Sequence, residues 1–119
     1  MKIIDLLNAQ STLQRLAGQK MPAKVAYALA KNIKVVDDEL KIFDETRIKL
    51  LGENWTLNSE TGKYDIPLEE QEKWDSMYID LVNSEIDVKI YQIDLTSMDG
   101  VELTPVEVLT ISWMIKDLS

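Results

Sequence analysis

The stretch PAKVAYALAKNIKVVDDELKIFDETRIKLLG, from Pro22 to Gly52, decides the fold. Val25, Leu29, Ile33, Val36, Leu40, Phe43 and Leu50 recur mainly at spacings of three and four, with Arg47 interrupting the pattern. That period predicts an α-helix with one apolar seam, suited to an antiparallel helix pair or a short coiled coil. Pro22 fits the first helical position, where its missing N–H costs nothing, and Gly52 marks a stop after Leu51. At 1.5 Å per residue the helix would span ~45 Å.

What lies before this helix can cover only part of it. Ile3, Leu6, Leu7, Leu13, Leu16 and Ala17 predict a first helix over residues 3–17, about 22 Å long. Gly18 is its expected stop, in the left-handed conformation that glycine takes without strain. The seam around Leu40, Phe43 and Leu50 then needs another cover. Either a later helix or a second copy of the chain would supply it.

Beyond Gly52 the period changes. Trp55 and Leu57 alternate on one side of Asn58-Ser59-Glu60-Thr61-Gly62, and Tyr64 and Ile66 on the other, which predicts a β-hairpin or structured loop over 53–67. Pro67 and the acids Glu69, Glu70 and Glu72 open a third helix from Leu68 to Asn83, with Trp74, Met77, Tyr78 and Leu81 as its buried stripe. Glu85 to Thr96 reads as a strand. Its alternation slips by one residue at Ile90-Tyr91, where a bulge or a change of packing partner is expected. Thr104, Pro105 and Glu107 form a capping box with proline at the first helical position, and Leu103 and Val108 stand where a hydrophobic staple would. They open a last helix running to about Lys116. The expected fold class is α+β and mostly helical: a long N-terminal helical hairpin, a small β-hairpin and strand element, and a capped C-terminal helix. Residues 1–119 read as a single domain, without repeat or linker.

Composition narrows the function. The chain has no histidine and no cysteine, which removes the commonest general base, the thiolate nucleophile and the usual zinc and copper ligands. With no histidine, a Ser-His-Asp triad is impossible. No glycine-rich phosphate loop or nucleotide fingerprint occurs. The longest apolar run, Val25 to Ala30, is six residues, far short of a membrane span. Asp5 interrupts the start where a secretory signal would stay apolar, and there are no disulfides, so a cytoplasmic setting is expected. Net charge is −8, divided unevenly: residues 1–52 carry nine Lys/Arg and six Asp/Glu, and residues 53–119 four and fifteen. Such acidity argues against nucleic acid as a partner.

Carboxylates are the abundant reactive groups. Glu69, Glu70, Glu72 and Asp75 would need a second acidic pair on a facing helix to hold magnesium. Asp37, Asp38 and Glu39 suit a solvated face better than that role. The acids of the third helix are read as partners of its dipole. Asp94 to Glu102 lacks the alternating ligands and the correctly placed glycine of a calcium loop. No cofactor and no catalytic or metal-ligating residue is assigned. Were the chain an enzyme, magnesium-dependent nucleotide hydrolysis is the least implausible reaction.

A different pattern lies opposite the long helix's seam. Lys20, Lys24, Tyr27, Lys31 and Lys34 recur at four, three, four and three residues, a stripe that could grip an anionic ligand or an acidic partner. The plainer reading is the solvated face of an amphipathic helix.

Two stretches carry a resemblance: Gln19-Lys20-Met21-Pro22-Ala23-Lys24-Val25-Ala26-Tyr27, continuing through Ala30-Lys31-Asn32, and Gly100-Val101-Glu102-Leu103-Thr104-Pro105-Val106-Glu107-Val108-Leu109. With the leucine-rich opening, they resemble a family of small proteins of phages and prophages of Gram-positive bacteria, a domain of unknown function without assigned catalytic residues. The resemblance spans most of the chain, the middle hairpin least. It implies a phage product acting inside an infected cell. In that setting the expected function is a non-catalytic interaction protein that binds a host or phage protein, with a host enzyme or defence factor as a possible target. The alternatives are a sponge for small nucleotide-like anions, bound across a homo-oligomer interface, and a virion or assembly component.

Overall fold

The computed structural model describes residues 1–116; the last three positions of the 1–119 span read as one domain lie outside the described residues. Among the described residues, four α-helices run over Ile3–Ala17 (α1), Ala23–Asn54 (α2), Gln71–Val82 (α3) and Pro105–Thr110 (α4). Strands Thr56–Asn58 (β1) and Lys63–Asp65 (β2) form an antiparallel hairpin, in which Thr56 faces Asp65. Ile93–Asp94 (β3) and Ile115–Lys116 (β4) form a two-residue parallel pair. The mostly helical α+β reading therefore holds, with the long helical hairpin first. The molecule measures 51 × 27 × 24 Å, because α2 alone is about 48 Å long.

Helix α1 packs on the first half of α2 through Leu6, Leu13 and Leu16 on one side and Val25, Leu29 and Val36 on the other, all buried in one core cluster. Around Leu40 and Phe43 the second half of α2 is covered by α3, a later helix of the same chain. The contact is aromatic: Phe43 meets Tyr78 edge-on at 6.1 Å, Tyr78 lies 5.9 Å from Trp74, and Trp74 stands perpendicular to Trp55 at 6.0 Å. Offset and edge-to-face pairs of this kind add about 0.5–1.5 kcal/mol each beyond their buried area.

Several expected boundaries move. Gly18 ends α1 in a right-handed conformation, with φ −92°, its N–H bonding back to Arg15. Helix α2 runs through Gly52 to Asn54, where the Asn54 side chain caps the Leu50 carbonyl. The Tyr64 phenol lies within 3.6 Å of where a Gly52 Cβ would stand, so the hairpin packs against bare helix backbone. Residues 68–70 form a separate 3₁₀ turn before α3. The last helix stops at Thr110, well short of Lys116, and gives way to a 3₁₀ turn over Ser112–Met114 and then β4.

The largest correction concerns the strand expected over Glu85–Thr96. Only Ile93–Asp94 pairs as a strand, and Glu85 makes one isolated antiparallel bridge to Lys2. Between them the chain runs without a neighbouring strand, half-burying Ile86, Val88, Ile90 and Tyr91. Its partner in the middle is a side chain. Asn32, fully buried on α2, accepts the Tyr91 N–H at 2.8 Å and donates to the Tyr91 carbonyl at 2.9 Å. The phase slip at Ile90-Tyr91 thus marks a change of partner. One carboxamide replaces two rungs of a ladder. Gln92 then donates to the Trp113 carbonyl at 3.0 Å, and Ile93 pairs with Ile115.

Asn32 also corrects the seam itself, where Ile33 was expected. Ile33 is only partly buried, while Asn32 continues the row of Val25, Leu29 and Val36. A buried polar group left without its partners costs about 1–3 kcal/mol. Asn32→Leu keeps the volume and removes both bonds. It is expected to lower the unfolding free energy by about 1–3 kcal/mol in urea denaturation. An unchanged or higher stability would show that the Tyr91 backbone needs no partner there.

Candidate interaction surfaces

Helix α4 has only six residues, yet its position is fixed from several sides. The Thr104 hydroxyl accepts the Glu107 N–H at 3.2 Å, and the Glu107 carboxylate accepts the Thr104 N–H at 3.0 Å, the capping box expected from sequence. The same carboxylate receives the fork of Arg15 from α1: Nε donates to one oxygen and Nη2 to the other, the latter at 3.0 Å. Arg15 Nη2 also donates to the Glu102 carbonyl at 2.7 Å. On the next turn the hydroxyls of Thr12 and Thr110 meet at 2.9 Å. Below α4, Ile111, Met114 and Ile115 are wholly buried.

This anchoring leaves one side of α4 outward. Val106 and Leu109, three residues apart and therefore neighbours on the helix, are 68% and 73% exposed. With half-buried Trp113 they form the apolar part of a groove of about 480 Å³ whose other lining is Asp5, Asn8, Thr110 and Ser112. Trp113 is held in place by its indole N–H, which donates to the Thr110 carbonyl at 3.0 Å. Sequence reading recognised the helix and its cap but missed the surface. The available signal was that Val106 and Leu109 lie on a different side of a helix from Val108 and Ile111, so one core could not bury both pairs.

Lys24, Tyr27, Lys31 and Lys34 share a stripe on α2, whereas Lys20 stands before the helix, in the connection from α1. Lys20, Lys24, Tyr27, Lys31 and Lys34 are all exposed. The Lys31 ammonium stands over the Tyr27 ring, 5.5 Å from its centre, and Lys34 pairs with Asp38 at 3.5 Å. Among the described residues Lys20, Lys24 and Lys31 make no ion pair within 4.0 Å. No residue of the stripe lines the groove beside α4.

The carboxylates do not converge. Among the described residues no group of three acids could hold a metal ion. Glu70 instead accepts the Trp55 indole N–H at 3.1 Å, while Glu69, Glu72 and Asp75 point to solvent around α3. No helix of the described residues is long and apolar enough to cross a membrane. Comparisons of the chain with protein-family models, with curated proteins and with solved structures return no match.

The Arg15 fork, helped by the Thr104 N–H, holds the Glu107 carboxyl below its usual range. A carboxylate depressed by folding stabilises the native state fully above its unfolded pKa of about 4.3 and loses that contribution as pH falls through the lower folded value. Wild type is therefore expected to melt higher than Glu107→Gln at neutral pH, and the gap should close as the solution is acidified below about pH 4. A gap independent of pH would show that the Glu107 charge does not secure α4.

Proposed function

We propose that this chain is a non-catalytic interaction protein that binds another protein through the outward side of α4. The observation that carries the reading is the exposure of Val106 and Leu109 beside Trp113, on a helix whose underside is locked to α1. Contiguous apolar surface rimmed by polar groups on a rigid support is what protein-binding sites are built from. A helix that needed only to close the core would present polar residues on that side. Every described carboxylate after Gly52 except Glu70 and Glu107 is exposed, so a partner with a basic rim would be steered toward this half of the chain. The resemblance of residues 19–32 and 100–109 to small phage proteins suggests the setting, an infected Gram-positive cell, and a host enzyme or defence factor as the target. Val106→Glu with Leu109→Glu changes only exposed side chains. Wild type is expected to retain a stoichiometric protein from bacterial lysate in native mass spectrometry, and the double variant to lose it while melting at the same temperature. Retention by both would remove α4 from the interaction.

A second reading draws on the cation over the ring at Lys31 and Tyr27. The stripe would hold a small multiply charged anion, the lysines acting as point charges without base specificity. Lys24→Glu with Lys31→Glu should then abolish any nucleotide-like mass carried by the purified protein. If wild type carries none, the stripe is an ordinary solvated face.

A further inference from the structure

A second apolar groove lies where α2 ends. The final turns of α2, the β1–β2 hairpin and the start of α3 enclose about 540 Å³. Its apolar lining is Ile48, Leu51, Leu57, Tyr64, Ile66 and Trp74, of which Ile48 and Leu57 are about half exposed. Its charged lining is Arg47 and Lys63, without a carboxylate, in a chain of net charge −8. Arg47 spends one N–H on Asp44 at 3.4 Å, and Lys63 makes no ion pair among the described residues.

Immediately beyond this groove the chain presents an uncovered apolar side chain. Leu68, two residues after Ile66, is 88% exposed, more than any other large apolar side chain among the described residues. Its turn is fastened: Glu70 holds the Trp55 indole, and the Gln71 side chain donates to the Ile66 carbonyl at 3.3 Å. Leu68 is therefore held out in solvent by a braced turn, and the carboxylates of Glu69 and Glu72 stand exposed near it.

We propose that this end of the molecule is a two-fold interface between two copies of the chain. A two-fold contact requires one patch to carry both halves of the fit, since each copy offers the other the same surface. Here Leu68 is the knob and the groove is the hole. In the dimer Leu68 of each copy enters the groove of the other, and Glu69 and Glu72 meet the cations at its rim. The charges match in sign: acids flank the knob and bases flank the hole. A single molecule cannot satisfy this match itself, because its turn is tied at Glu70 and Gln71 with Leu68 outward.

The interface is separate from the α4 surface, so either can fail without the other. Sedimentation velocity of the purified chain over a range of concentrations tests it. Wild type is expected to be a dimer and Leu68→Glu a monomer with an unchanged melting temperature. Glu69→Lys and Lys63→Glu should each weaken association alone, since like charges then face across the two-fold axis. Mixed together, the two variants should pair preferentially with one another. The Val106→Glu, Leu109→Glu variant should remain a dimer. A wild type that stays monomeric at every concentration, or a dimer indifferent to Leu68→Glu, would overturn the proposal. So would a monomeric wild type whose groove is filled by a different protein.

Discussion

A single buried carboxamide organises the chain. Asn32 sits in the apolar seam of α2 and spends its donor and its acceptor on the two backbone groups of Tyr91. Burying an amide without partners is costly, so the position is favourable only with an extended segment lying across it. The segment needs Asn32 in turn. From Ile86 to Gln92 it has no strand beside it, and a half-buried backbone without bonds would be unfavourable. Each component makes the other admissible, and the bond fixes where residues 84–94 cross the helix pair.

The remaining core is arranged around that crossing. At one end Met1 and Ile3 pair with Ser84–Ile86, and the N-terminal ammonium meets Glu85 at 3.1 Å. At the other, Ile93 sets down beside Ile115, while Met114 lies under Asn32 with its sulfur 3.6 Å from the amide nitrogen. Residues 111–115 thereby become the floor of the core, and α4, just before them, is carried to the outer side of α1. Arg15 and Glu107 lock it there. Glu107 and Thr110 make the contacts to α1, and Val106 and Leu109 are left exposed on the other side.

Much of this frame was legible in sequence, because helices announce themselves by period and caps. The α1–α2 hairpin, the hairpin after Trp55 and the Thr104–Glu107 box all follow from local rules that tertiary contacts did not overrule. Three features were not legible, each for a physical reason. Asn32 looked like a polar residue beside Ile33, and only the strict row Leu29–Asn32–Val36 would have placed it inside. The segment after Glu85 has the alternation of a strand, but alternation reports two-sided burial and is silent on whether the backbone partner is a strand or a side chain. On α4 the sequence shows two apolar sides, Val106–Leu109 and Val108–Ile111, but not which of them the core leaves uncovered. Of the candidate site residues, Lys24, Tyr27, Lys31 and Lys34 sit on the exposed face that their spacing implied, whereas Val106, Leu109 and Leu68 become conspicuous only with their exposure known.

Amide hydrogen exchange at Tyr91 tests the central role of Asn32 most directly. The account predicts that the Tyr91 N–H, although outside any strand, is protected nearly as well as the central amides of α2, because releasing it requires opening the core. Neighbours such as Lys89, with no hydrogen-bond partner of the same kind, should exchange much faster. Rapid exchange at Tyr91, matching that of Lys89, would contradict the account and leave residues 84–92 as a loosely attached connection.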